Sequence, residues 1–297
     1  MTAPCPLCGA DATLAFRAKD YNRRVTRESF NYHRCRACDL IFLWPIPHDL
    51  HLYYTDRYHV IPSSLEQLTA GAGQERYKIG LVKRFVPSGR LLEVGPGSGG
   101  FANIAKQEGF EVEAIEMDPG CCRFLEEVVG IRVTNASDVP RALLSLAPFE
   151  VIALWHVIEH LPDPWATLAA AAEKLLPGGI LVVAAPNPDS WQFRVMGRYW
   201  PHVDAPRHLE LIPLNLLADR ARACGLETAL ATTTDEGSLY WNRFGWEMAL
   251  SNCFANRFAK IGMRMAGGAI GRIVSPVEGS EGRGSAYTVI FRKKTDK

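Results

Sequence analysis

The sequence predicts an α/β fold: a parallel sheet with helices on both faces, preceded by a small cysteine-bearing β module. Three observations carry this. Between residues 90 and 186, apolar runs of strand length alternate with helical patterns. A glycine-rich turn in LLEVGPGSGG (91–100) joins the first of those strands to the first helix. Two C-x-x-C pairs, Cys5/Cys8 and Cys35/Cys38, sit at the ends of short strand-like runs near the N-terminus.

Taken in order, residues 1–44 alternate the runs TLAFRA, SFNYHR and LIFLW with turn residues, so they read as a β module. Residues 45–65 carry prolines and many aromatics, an ordered linker resting on a larger body. Residues 66–297 form the main domain. It opens with a helical pattern through Leu68, Tyr77, Ile79, Leu81, Val82 and Phe85 that stops at Pro87. Strands follow at RLLEV (90–94), EVEAIEM (111–117), IRVT (131–134), FEVIALWHV (149–157) and GILVVAAP (179–186), with helices over GGFANIAKQEG, 119–128 and 164–176. Right-handed crossovers leave few topologies for such a run. Beyond Pro186 come a long polar and aromatic loop (187–212), the helix PLNLLADRARACG and the strand ETALATTT. A helical insertion (235–285) separates these from the last strand, AYTVIFRK (286–293). The last two strands complete a seven-stranded sheet whose final strand runs antiparallel.

Bulk properties narrow the function. A chain of 297 residues can bury one large core and carry an appendage. A formal net charge of +1 provides no global field toward nucleic acid or anionic membrane. No apolar run approaches the ~18 residues of a membrane span, and no basic region followed by an apolar stretch opens the chain. A cytoplasmic location is expected, and there eight cysteines are not a disulfide framework. Cys121, Cys122, Cys224 and Cys253 read as small buried hydrophobes.

The glycine turn satisfies two patterns. Gly95, Gly97 and Gly100 fit the dinucleotide turn G-x-G-x-x-G, while Glu93, Gly95, Gly97 and Gly99 fit E-x-G-x-G-x-G. A carboxylate at this strand end would repel a pyrophosphate at the helix N-terminus and welcome a cation. With the seven-strand count, Glu93 favours the second pattern. LLEVGPGSGG, AIEMDP, FEVIALWHVIEHLPDP and LLPGGILVVAAPNP together resemble the successive motifs of class I S-adenosylmethionine-dependent methyltransferases. The resemblance covers about residues 76–234 plus the last strand, and is greatest to the branch holding ubiquinone-biosynthesis O-methyltransferases and many natural-product and glycan enzymes. It implies a seven-stranded Rossmann-like sheet and S-adenosylmethionine as cofactor. It also implies that Gly95, Gly97 and Gly99 line the cofactor while Glu93 faces its amino group. Glu116 would accept the ribose hydroxyls, Met117 would flank the adenine, and Ser137 and Asp138 would contact its amine. Trp155 and His156 would lie under the reacting centre. Asp138 also reads as a helix N-cap, and Trp155 as core packing.

Methyl transfer from a sulfonium needs alignment and desolvation first, and a general base only when the acceptor must lose a proton. Imidazole suits that task. His156 and His160 fall in WHVIEHLPDP; His202, Asp204, Arg207 and His208 fall in the loop after the fifth strand, where the resembling family often carries Asp-x-Pro-Arg-His. His160 and His208 are the candidate catalytic residues, as base or acceptor orienter. A metal-assisted variant, with Glu159 and His160 as ligands, is a minor alternative. Within 238–274 five basic residues stand against Glu247, among aromatics, which suits an anionic or lipid-linked small-molecule acceptor or two plain lid helices. An RNA methyltransferase is the main alternative, yet residues 1–40 carry a net of only +3; no nucleic-acid partner is expected. A non-catalytic cofactor-binding protein is the other, opposed by Glu93, the glycines and Glu116. The spacing of Cys5, Cys8, Cys35 and Cys38 is that of a structural zinc ribbon, closed by four thiolates, serving as a lid or a homodimer contact.

Overall fold

The structure, a computed structural model, describes residues 2–54, 60–254 and 256–295. Residues 55–59, within the predicted linker, lie outside the described residues. The N-terminal stretch forms β1 (Thr2–Pro4), β2 (Asp11–Lys19), β3 (Ser29–Cys35) and β4 (Ile41–Leu43). Two short helices, α1 (Leu65–Gly71) and α2 (Arg76–Lys83), lead to the larger sheet.

There strands and helices alternate as β5 (Gly89–Val94), α3 (Gly100–Gln107), β6 (Phe110–Glu116), α4 (Pro119–Phe124), β7 (Arg132–Asn135), α5 (Val139–Ser145), β8 (Phe149–Trp155), α6 (Pro164–Lys174) and β9 (Leu175–Pro186). Three of these helices start alike. Asp118, Asp138 and Asp163 accept the backbone N–H groups of Cys121, Arg141 and Ala166 at 2.8, 3.1 and 2.8 Å. Each cap precedes a proline in the first turn, where the missing N–H costs nothing. Such caps contribute about 1 kcal/mol apiece.

After β9 come α7 (Trp191–Met196), β10 (Glu210–Leu211), α8 (Leu214–Ala223), β11 (Leu226–Thr232), α9 (Glu236–Ser251), α10 (Arg257–Glu278) and β12 (Ala286–Lys293). The seven-stranded sheet has the order β11-β12-β9-β8-β5-β6-β7. β5, β6, β7, β8 and β9 are mutually parallel, and β12 is antiparallel to both neighbours. This is the expected class I architecture. β8 and β9 read as unbroken apolar runs because helices cover both faces of the sheet. α9 and α10 pair closely where Gly267 faces Trp246 and Glu247; a Cβ at Gly267 would meet the Trp246 carbonyl oxygen at 2.5 Å. No helix among the described residues is long and apolar enough to cross a membrane.

Residues 187–212 read as loop from sequence, but they hold α7 and β10. β10 is only two residues long and owes its conformation to its partner: it pairs with β4 through Glu210↔Phe42 and Leu211↔Ile41. The N-terminal sheet is thus five-stranded, β1-β2-β3-β4-β10. One apolar cluster joins Tyr32, Ile41, Leu43 and Tyr53 to Trp200, Val203, Leu209 and Leu211. Another runs from Cys35, Leu40 and Phe42 through Ile212 to Tyr287 and the main core.

A buried ion cluster locks this junction. Arg207, fully buried, donates from Nη2 to Asp20 Oδ1 at 2.6 Å and from Nε to Asp204 Oδ2 at 2.8 Å. Asn22 Nδ2 donates to the other Asp204 oxygen and to the Pro201 carbonyl, both at 2.7 Å. Removing one partner of a buried pair leaves an uncompensated charge, at about 3–5 kcal/mol. Arg207→Ala is therefore expected to lose about that much stability in chemical denaturation. Arg207→Lys should recover only part, because an ammonium cannot fork to two carboxylates.

Candidate active site

The strand order reverses between β5 and β8, and open α/β sheets bind ligands outside the carboxyl ends of their strands at such a point. β5 ends there in Glu93–Val94 and passes into the glycine turn. Gly95, Gly97 and Gly99 have φ of +65°, +57° and +83°, a run that side-chain-bearing residues adopt only under strain. Glu116 ends β6 beside this turn, buried, and accepts the Gly97 N–H at 3.0 Å and those of Met117 and Asp118 at 2.8 Å. Met117 is exposed at the rim; Ser137 and Asp138, also exposed, follow β7. Trp155 is buried at the tip of β8 against Phe101 and Tyr77, with its Nε1 unpartnered and Lys78 Nζ 5.0 Å from its ring centre. Glu93 is buried with Oε2 unpartnered. Burial, with Glu75 and Glu116 nearby, pushes its carboxyl up to about 8, against Lys78 and the Ala102 backbone, which pull it down.

His156 takes φ +57° at the same strand tip and turns into a neighbouring cavity of about 420 Å³. Its lining includes His156, Glu159, His160, His202 and His208 together with Trp241, Phe244 and Met248 of α9, and Trp241 packs edge-on against His156 and His202. That size suits a small molecule. The structure thus brings together all four histidines that the sequence singled out. Two are held in one tautomer. His208 Nδ1 lies 2.8 Å from the His202 carbonyl oxygen, and His160 Nδ1 lies 3.1 Å from that of Arg207. A carbonyl oxygen only accepts, so each Nδ1 carries a proton, and His160, which burial holds neutral, keeps its lone pair on Nε2. Tyr54 Oη, 3.0 Å from His160 Nδ1, completes that contact. Burial holds His156 and His202 neutral, down to about 3, with Lys78 adding to the effect at His156. Glu159 is buried with neither oxygen hydrogen-bonded; its Oε1 lies 3.6 Å from His156 Nδ1.

At the far end of the β module, the Sγ atoms of Cys5, Cys8, Cys35 and Cys38 lie within 4.8 Å of one another, with contacts of 3.5, 3.6 and 3.8 Å. Four sulfurs about 2.3 Å from zinc would stand about 3.8 Å apart, so the set fits a tetrahedral ion. The two knuckles repeat one geometry. Gly9 and Asp39, each four residues after the first cysteine of its pair, have φ of +72° and +66° and donate back to that cysteine's carbonyl.

Comparison with known proteins places this geometry. The family described as "Methyltransferase domain" matches residues 70–230, over half of the chain. The chain belongs to this family. It is a class I S-adenosylmethionine-dependent methyltransferase. A relative in Cereibacter sphaeroides (strain ATCC 17029), named ubiquinone biosynthesis O-methyltransferase, is 27% identical over 172 residues, covering 54% of this chain and 68% of the relative. One of the same name in Xylella fastidiosa (strain 9a5c) is 37% identical over 113 residues, 35% of this chain and 45% of the other. A solved SAM-dependent methyltransferase from Archaeoglobus fulgidus shares the fold with a TM-score of 0.50 at 19% identity, over 74% of this chain and 95% of that one.

The methyltransferase's own residues fit its cofactor. An orphaned buried carboxylate at Glu93 is what a cationic ligand completes, and the glycine turn leaves the backbone bare for close approach. At Gly95 an added Cβ would meet Val157 at 2.8 Å, and at Gly99 it would collide with Leu125. Tyr54 and Asn22 are site residues that sequence reading did not name, whereas Trp241 and Phe244 of α9 belong to the aromatic-bearing segment 238–274 that it singled out. The pair Tyr53–Tyr54 inside an aromatic-rich linker was the one signal for the first. Because Glu93 holds its proton up to about pH 8 in the free protein, a cation beside it will expel that proton. Binding of S-adenosylmethionine at pH 7 is expected to release a proton. Calorimetry in two buffers of different ionisation enthalpy checks this, and Glu93→Gln should abolish the difference.

Proposed function

We propose that this methyltransferase acts on a small-molecule acceptor seated in the histidine pocket, with His208 or His160 taking the proton of an acceptor hydroxyl. The observation that carries this is the pair of pocket imidazoles, each anchored through Nδ1 to a backbone carbonyl, beside the tip of β8. Quinone or phenol, natural-product and sugar or lipid-linked acceptors all suit a pocket lined by imidazoles and aromatic rings. The name shared by the curated relatives supports an oxygen acceptor of the first kind.

On the cofactor side, Glu93 faces the ammonium and Gly95, Gly97 and Gly99 line the methionine part. Glu116 turns from the Gly97 N–H to ribose hydroxyls, Met117 covers the adenine, and Ser137 and Asp138 meet its amine. Trp155 and His156 stand between the two halves. S-adenosylmethionine supplies a methyl on a sulfonium whose leaving group is neutral. The chain's part is alignment, exclusion of water and removal of a proton. The β module closes the pocket from its side through Asn22 and the Arg207 cluster, and structural zinc on Cys5, Cys8, Cys35 and Cys38 keeps the module folded.

Incubation with methyl-labelled S-adenosylmethionine and fractionated metabolites, followed by mass spectrometry, should place label on a small molecule; label appearing on total RNA instead would reverse the reading. A positioned base contributes about 10²–10⁴-fold, so His208→Asn or His160→Asn should lower kcat by that range while cofactor affinity holds. Full activity in both variants would remove the base assignment. Structural zinc contributes on the order of 10 kcal/mol in small domains. Cys35→Ser should therefore release one zinc by metal analysis and impair folding or acceptor use, leaving cofactor affinity little changed. A stable, fully active, zinc-free variant would overturn the structural role.

A further inference from the structure

The cysteine set is not the only group of metal-ligating side chains. Glu159, His160 and His208 each offer one ligand atom, and the three atoms lie within 4.8 Å of one another. Glu159 is 1% exposed and neither carboxylate oxygen has a hydrogen-bond partner. A buried carboxylate left in that state is costly unless a cation completes it. Both histidines donate Nδ1–H to backbone carbonyls, His160 to Arg207 at 3.1 Å and His208 to His202 at 2.8 Å. With Nδ1 engaged by a carbonyl, Nε2 is the ring nitrogen each histidine has left to offer an ion, and a backbone carbonyl on Nδ1 is the outer contact metal-bound histidines make.

We propose that Glu159, His160 and His208 bind a divalent first-row transition metal in the acceptor pocket. Two imidazoles and one carboxylate favour zinc, iron or nickel over magnesium or calcium. Such metals stand about 2.0–2.2 Å from their nitrogen and oxygen ligands, so the three groups need close only modestly around an ion. A three-residue set leaves coordination positions open, and the pocket lies in front of them. The metal's role in the reaction, lowering the pKa of an acceptor hydroxyl, rests on the pocket being the acceptor site. The binding site itself does not.

The test is a titration of the full-length protein, its cysteine site already loaded, with CoCl₂, followed by calorimetry and visible absorption. One equivalent of Co²⁺ per chain is expected, with weak ligand-field bands and no thiolate charge-transfer band, which separates it from the cysteines. His208→Asn and Glu159→Gln should each weaken it at least tenfold, while His48→Asn, at an exposed position, should not. Absence of this equivalent in the unaltered protein would overturn the proposal, whether or not the variants fold. So would an equivalent whose affinity neither variant changes. The two readings part cleanly. Loss of methyl transfer in His208→Asn without Co²⁺ binding by the parent protein keeps the base and removes the metal. Variant-sensitive Co²⁺ binding with undiminished transfer in both histidine variants keeps the metal and removes the base.

Discussion

One guanidinium ties the molecule together. Arg207 sits with no solvent exposure between Asp20, which ends the long strand of the β module, and Asp204, in the loop that carries the pocket histidines. A buried charge is tolerated only when it is paired and hydrogen-bonded. Here Arg207 donates to both carboxylates, and its flanking geometry places His208 one residue on. The Arg207 carbonyl meets His160, and Tyr32 Oη donates to the His208 carbonyl at 2.8 Å. The same few residues therefore hold the module to the sheet and set the tautomers in the cavity. Displacing the module would disturb the histidines before it reached the glycine turn.

This explains the division of labour across β8. On the β5–β6 side everything is backbone and carboxylate: a bare glycine turn, Glu93 and Glu116. On the β9 side imidazoles and aromatic rings surround one buried carboxylate, Glu159, and the parts come from four distant stretches of chain. His156 and Glu159 follow β8, His202 and His208 lie in the long loop, Trp241 belongs to α9, and Asn22 belongs to the module. In the proposed reading, the cofactor half is built from local sequence, while the acceptor half exists only after folding. A fold that varies its acceptor half in this way can change substrates without disturbing the cofactor half.

Legibility in the sequence follows the same line. The parallel strands, their helices and the glycine turn were readable because each depends on periodicity or chemistry within about ten residues. Asp138 announced a helix start for the same reason. β10 was not readable: two residues have no period, and their partner β4 lies far away in sequence. The Arg207–Asp20 pair spans 187 positions, and nothing local marks Asp20 as different from any turn aspartate. Glu159 could be noted as a possible ligand, but its burial without a partner is a property of packing alone. Tyr54 sat within an aromatic linker whose contacts the sequence could not assign.

With S-adenosylmethionine bound as proposed, a pocket with four histidines beside a cation poses an electrostatic problem. If the imidazoles were protonated, they would repel a sulfonium across a low-dielectric gap, where unit charges interact far more strongly than in water. Burial resolves it by holding His156, His160 and His202 neutral. The carbonyl contact at His160 Nδ1 then leaves Nε2 as the free nitrogen of that neutral ring, and a second carbonyl anchors His208 through its own Nδ1. The negative charge that the site does carry is spaced accordingly. Asp204 is neutralised by Arg207, which holds its carboxyl well below the usual range. Glu93 and Glu159, one on each side of β8, are pushed up by burial, so each carries its charge only once a cation enters beside it.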